Sequence, residues 1–109
     1  MIEFIKNLFG SRTFGAIRSA RWSEVRNRFL ATHSKCEVCD TKGNLLNQLN
    51  CHHCTPFHVD PTLELNPNNL ITLCRVHHFL FGHLMSWKSW NVDVRKDALD
   101  WSIKIKKRP

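Results

Sequence analysis

The chain has 109 residues, 42% hydrophobic and 23% charged, with five cysteines, seven histidines and a net charge of +7. It holds no apolar run of the ~18 residues a membrane-spanning helix needs, and the opening stretch MIEFIKNLFG is too polar for a signal-peptide core. The expectation is one domain over residues 1–109, cytoplasmic, in which cysteines beside histidines read as metal ligands rather than disulfides.

A domain of this size buries only part of its unfolded surface and gains from a metal staple. Residues 1–35 carry seven Lys/Arg against two acids, and residues 84–109 seven against three. Residues 36–83, with every cysteine and six of the seven histidines, carry two against four. Basic flanks around a ligand-rich middle suit a polyanion such as DNA or RNA; the same charges also serve as an ordinary solvated surface.

In chain order, Ile2, Ile5, Leu8 and Phe9 stand at helical spacing before Gly10, as a short helix or a flexible arm. Residues 10–15 read as a loop. With Ser19 as N-cap, a helix follows with Trp22, Val25, Phe29 and Leu30 on one face and Arg21, Glu24 and Arg28 on another, ending near His33. CEVCDTKGN, from Cys36, is a tight turn built on Asp40, Gly43 and Asn44. LLNQLNCHH, from Leu45, reads as a strand. A loop with Pro56, Pro61 and Pro67 leads to the short apolar NNLITLC. RVHHFLFGHLMSW then looks helical, weakened at its far end by Gly82. The tail VDVRKDALDWSIKIK places Val94, Ala98, Trp101 and Ile105 on one helical face, while alternation of Trp101, Ile103 and Ile105 keeps a strand open. Trp87 and Trp90 are expected in the core because aromatic burial energies are large; base stacking is the alternative.

Cys36-x2-Cys39 is a chelating knuckle, since two thiolates three residues apart on a turn reach one tetrahedral Zn²⁺. Cys51/Cys54 and Cys74/His77 compete to complete it. Cys51 and Cys54, read as strand, point opposite ways, and CHHCTP lacks a knuckle's glycine or aspartate. Cys74 and His77 sit at a strand-to-helix junction, where positions i and i+3 share a face. The favoured structural Zn²⁺ set is therefore Cys36, Cys39, Cys74 and His77, with Cys51 and Cys54 as half-buried packing residues. The four-cysteine ribbon of Cys36, Cys39, Cys51 and Cys54 is the alternative. His52, His53, His58, His78 and His83 are left over, enough to point to a second, open site.

Cys-x2-Cys, then His-His, then Asn-Leu-Ile-x-Leu-Cys, then His at a helix start resembles the HNH endonucleases. CHHCTPFHVDPTLELNPNNLITLC…HHFLFGH is similar to the small HNH nucleases of bacteriophages, and RSARWSEVRNRFL to the helix that precedes their first knuckle. The resemblance spans residues 18–98. It implies an α+β fold: a small ββα-metal finger with a structural zinc knuckle, flanked by N- and C-terminal helices. An arm (1–18), a helix plus ββα core (19–86) and a C-terminal helical extension (87–109) would make up the chain.

Carried over by position, His52 and His78 match ligands of the catalytic ion. His53 matches the general base, and Asn69 the asparagine that holds the finger loop and orients that base. His83 matches a further histidine, a metal ligand or a phosphate contact. Where the family usually has a second cysteine, this chain has His77, still an acceptable zinc ligand. The implied activity is metal-dependent hydrolysis of DNA phosphodiester bonds, by nicking or double-strand cleavage, in a monomer. Imidazole ligands suit Mn²⁺ or Ni²⁺ better than Mg²⁺. Arg18, Arg21, Arg26 and Arg28 are the expected phosphate contacts, each equally readable as an exposed helix charge. DNA is the expected partner, and the resemblance adds phage DNA-packaging proteins. A zinc-binding DNA-binding module without catalysis is the alternative, and a purely structural zinc protein a third; the enzyme reading needs His53 outside any zinc site.

Overall fold

LITLC is apolar at four of its five positions, and all five residues are buried. In the computed structural model, which describes residues 19–107, this run is strand β2, Leu70–Cys74, and it pairs antiparallel with β1, Leu49–His53. The register sets Leu49 opposite Cys74, His52 opposite Ile71 and His53 opposite Leu70. Side chains alternate along a strand, so His52 turns toward His78 and His53 toward Trp22. Helix α1, Trp22–Thr32, precedes the hairpin. After β2 come a single α-helical turn, α2 (Arg75–His77), a π-helical turn over His78–Gly82, and helix α3, Val94–Lys106. Two 3₁₀ turns, Pro61–Leu63 and Pro67–Asn69, shape the loop between the strands. An antiparallel hairpin followed by helices around a Cys₃His cluster is a small ββα-metal finger with a zinc-knuckle-like motif.

The core packs Cys36 and Val38 of the knuckle against Ile71, Leu73 and Cys74 of β2 and Val94 and Ala98 of α3. The cysteine pair thus sits where apolar burial is densest. The Thr72 hydroxyl donates to the His33 carbonyl at 2.8 Å, and the Glu37 N–H to the Thr72 carbonyl at 2.9 Å, tying the chain after α1 to β2.

Several local expectations are corrected. Ser19 does not cap α1: the cap position is Arg21, whose N–H bonds Ser19 Oγ at 3.0 Å. The first strand begins at Leu49 rather than Leu45 because Asn44 Oδ1 accepts the N–H groups of Leu46 and Asn47, each at 2.9 Å, curling that stretch into a turn. Leu45 and Leu46 are consequently exposed. The helix expected after Cys74 is broken into the α2 and π-helical turns, ended by left-handed backbone at Leu84 and Met85. The tail is a helix, but Val94, Ala98 and Ser102 are its buried residues, while Trp101 and Ile105 are exposed. Its start is braced by Asn91, whose Oδ1 accepts the Asp93 N–H (2.9 Å) and whose Nδ2 donates to Asp97 (2.8 Å). The expectations for residues 1–18, including the arm, the loop at 10–15 and Arg18, lie outside the described residues.

Candidate metal centre

The knuckle forms because backbone amides wrap Cys36. The Val38 N–H points at Cys36 Sγ (3.4 Å), the Asp40 N–H bonds the Cys36 carbonyl (2.9 Å), and Asp40 turns the chain with φ of 63°, a left-handed conformation that aspartate tolerates better than most residues. β2 ends at Cys74 and His77 follows one helical turn later. His77 Nδ1 lies 3.2 Å from Cys74 Sγ and 3.6 Å from Cys36 Sγ. With Cys39 Sγ, all four ligand atoms fall within 4.8 Å of one another. A tetrahedral Zn²⁺ with ordinary Zn–S and Zn–N bonds spaces its ligands by about 3.4–3.8 Å, so the set fits one ion.

Burial pushes the Cys36 thiol up to about 11. Burial also raises Cys74, but hydrogen bonds from the His77 backbone and the Asn47, Cys36 and Cys39 side chains together outweigh it and leave that thiol below its ordinary value. A dication supplies the stabilisation that a buried thiolate otherwise lacks. Cys51 and Cys54 are outside this set. Burial pushes Cys51 up to about 11 and raises Cys54, which takes a 3.4 Å hydrogen bond from Arg95; neither has the acidity of a reactive thiol.

The second cluster joins β1 to the π-helical turn. His52, His78 and His83 bring ring nitrogens together: His78 Nε2 is 3.1 Å from His52 Nδ1 and 3.2 Å from His83 Nε2. The outer nitrogens fix the tautomers. Asn50 Nδ2 donates to the Gln48 carbonyl, which aims Asn50 Oδ1 at His78 Nδ1, 3.1 Å away. The Ser89 carbonyl stands 2.8 Å from His83 Nδ1. Both carbonyl oxygens accept an N–H, so His78 and His83 turn lone pairs toward each other, an arrangement that calls for a cation between them. Burial, reinforced by the neighbouring imidazoles, holds His52 down at about 3 and His78 at about 4, so both stay neutral. His52 Nε2 is buried without a hydrogen-bond partner among the described residues, a cost of roughly 1–3 kcal/mol. Gly82 lets the rings meet: a Cβ there would lie 3.0 Å from His52 Cε1 and 3.1 Å from His78 Cδ2. These observations fit a divalent ion held by three imidazoles.

His53 belongs to neither cluster. It is buried, its ring lies against Trp22 with centroids 4.4 Å apart, and its Nε2–H donates to the Glu64 carbonyl at 2.9 Å. That bond puts the basic lone pair on Nδ1. The hydrogen bonds of Asn69 go to the loop. Its Oδ1 accepts the Thr55 N–H (2.8 Å), and its Nδ2 donates to the Thr55 (3.0 Å) and Leu63 (3.3 Å) carbonyls. It clamps both ends of the loop that carries Glu64. The Glu64 carboxylate, buried in turn, accepts the Ser19 N–H and anchors the entry to α1 on the same loop.

His52, His53, His78 and His83 all line one open groove of about 740 Å³. Of the expected phosphate contacts, Arg26 lines it; Arg28 pairs with Glu24 at 3.1 Å along α1, and Arg21 is exposed. His58 is exposed at the rim. Trp87 is not a core residue. It is 58% exposed and covers the cluster, 4.8 Å from the His83 ring and 5.4 Å from His78. Asn50, Glu64, Gly82 and Ser89 were not expected as parts of the site. The backbone carbonyls among them leave no trace in side-chain identity, and Asn50 stood two positions before His52 in a strand, where i and i+2 share a face. That spacing was the one available signal.

The hairpin, the turns that follow it and the two clusters, Cys₃His and His₃, define a metal-binding ββα module, consistent with an HNH-like layout. Compared with protein-family models, curated proteins and solved structures, the chain matches none. Among the described residues no helix is long and apolar enough to cross a membrane.

Proposed function

We propose that the chain is a metal-dependent endonuclease that hydrolyses DNA phosphodiester bonds, with His53 as general base. One observation carries the reading: a histidine whose tautomer is set by a backbone carbonyl stands beside the His₃ cluster, outside both ligand sets, in the same open groove. A base needs a defined tautomer and a ring held still; the Glu64 carbonyl sets the tautomer of His53 and the Trp22 ring packs against it.

In this reaction the oxygen of water bonds to phosphorus and the P–O3′ bond breaks. His53 Nδ1 takes the water proton, and the departing 3′ oxygen takes one from solvent. Asn69 acts as a positioning residue, because it fixes the loop whose carbonyl orients His53. Arg26 holds a flanking phosphate. His52, His78 and His83 would hold a divalent ion, which would supply charge neutralisation for phosphodiester cleavage; Mn²⁺ or Ni²⁺ would suit three imidazoles better than Mg²⁺. Cys36, Cys39, Cys74 and His77 hold a structural Zn²⁺ apart from the chemistry.

The test is cleavage of supercoiled plasmid by zinc-loaded protein, without and with added Mn²⁺ or Ni²⁺. Relaxed or linear product that depends on the added ion, and is lost in His52→Ala with its zinc retained, supports the nuclease. Tight DNA binding with no cleavage under any ion would make the chain a zinc-stabilised DNA-binding module instead.

A further inference from the structure

The groove carries more aromatic surface than phosphate binding needs. Trp22, Trp87 and Trp90, three of the chain's four tryptophans, line it with Phe57. Arg26 and Lys88 line it too, and among the described residues no Asp or Glu does.

Trp87 is the informative member. Its indole is more than half exposed, yet its place is set. The ring lies 4.9 Å from Phe79 and against the His78 and His83 rings. The turn that carries it is closed by the Ser86 N–H to the His83 carbonyl (3.0 Å), the Ser89 N–H to the Ser86 carbonyl (2.8 Å) and the Met85 N–H to the Phe79 carbonyl (2.9 Å). Two consecutive non-glycine residues, Leu84 (φ 52°) and Met85 (φ 67°), adopt left-handed backbone to make that turn. Strained backbone is retained where the surroundings over-determine it, commonly beside functional sites.

Phosphates are met by cations and base edges by hydrogen-bonding side chains; neither requires an indole. An indole face is matched by a base face, and base faces are covered inside a duplex. We infer that the groove takes an unpaired DNA strand, with Trp87 and Trp90 as stacking surfaces for bases adjoining the phosphate above the histidines. The inference rests on the nuclease reading for the identity of the polyanion, and it narrows the substrate to single-stranded or locally unpaired DNA.

Anisotropy of a short fluorescein-labelled strand tests it, beside the same strand in duplex and the same strand with abasic sites. The protein carries His53→Ala, which holds hydrolysis off. The strand is expected to bind more tightly than the duplex. Trp87→Leu, which keeps an apolar cover over His78 and His83, should weaken strand binding by about five-fold or more, and Trp87→Phe should recover most of the loss. Abasic sites should cost the Trp87 protein more affinity than they cost Trp87→Leu, in which only Trp90 is left to stack. Duplex bound as tightly as the strand, or Trp87→Leu binding the strand like its parent, overturns the inference. If the strand binds through Trp87 but protein with His53 intact cuts no DNA, the stacking groove stands and the nuclease reading fails. If the protein cuts duplex while Trp87→Leu binds and cuts normally, the nuclease reading stands and the stacking groove fails.

Discussion

Gly82 shows how a single hydrogen atom in place of a methyl shapes the His₃ cluster. A Cβ at this position would press on His52 Cε1 at 3.0 Å, His78 Cδ2 at 3.1 Å and His52 Nδ1 at 3.2 Å, and the rings are confined by the strand and turn that carry them. Gly82→Ala should therefore swing His52 away and lower Mn²⁺ affinity on the order of ten-fold or more, the scale of losses seen when the supports of metal ligands are disturbed. Titration calorimetry on zinc-loaded protein reads it; unchanged Mn²⁺ affinity would mean that Gly82 is incidental. Asn69→Ala should behave differently. It releases the clamps on Thr55 and Leu63, so cleavage should fall while Mn²⁺ affinity holds. The ligands themselves were legible as histidines in excess of what one zinc site uses. Gly82 was legible only as a weak point in a helix, because its role depends on a ring from β1 that sequence distance hides.

The π-helical turn is the element that assembles the cluster. Positions five apart on an α-helix are turned about 140° from each other, whereas the wider π turn bonds residue i to i+5 and brings them together. This is how His78 and His83 come to face each other at 3.2 Å. Helical periodicity in RVHHFLFGHLMSW could not reveal this, since the apolar pattern of the two helix types is nearly the same over one turn. Tertiary packing likewise overrode the tail, where Ser102 rather than Trp101 completes the buried face. The cysteine arithmetic was more transparent: a strand end and the following turn put Cys74 and His77 on one side by local geometry alone. The prediction belongs to that element pair. His77→Cys should keep one tight zinc per chain, Cys54→Ser should be nearly silent, and Cys36→Ser should lose zinc and much of the fold, since structural zinc contributes folding free energy directly. Zinc lost from Cys54→Ser and kept in His77→Ala, read by atomic absorption, would restore the four-cysteine ribbon.

Across the whole molecule, burying imidazoles couples the fold to pH. His52 is held down at about 3 and His78 at about 4, against ~6.5 in an unfolded chain. Between these values the unfolded chain binds protons that the folded chain does not, so stability rises with pH through this window. Acidification from pH 7 to 5 should lower the urea midpoint, and proton competition with a bound ion acts in the same direction. A variant with His52→Asn and His78→Asn should show a flatter dependence; a midpoint as high at pH 5 as at pH 7 in the parent would contradict the neutral cluster. Salt is the second whole-molecule lever. DNA affinity should fall linearly in log–log form with salt, and Arg26→Ala should reduce that slope by roughly one unit if it neutralises one phosphate, whereas Arg28→Ala, already paired with Glu24, should change it less. The central claim is that His53 performs the proton transfer beside an ion that it does not hold. The most direct test is the plasmid-cleavage rate of His53→Ala carrying full zinc and saturated with Mn²⁺. The account predicts unchanged metal content and a rate lower by about 10²–10⁴-fold. Cleavage at the wild-type rate, or loss of the Mn²⁺ site along with the histidine, would contradict it.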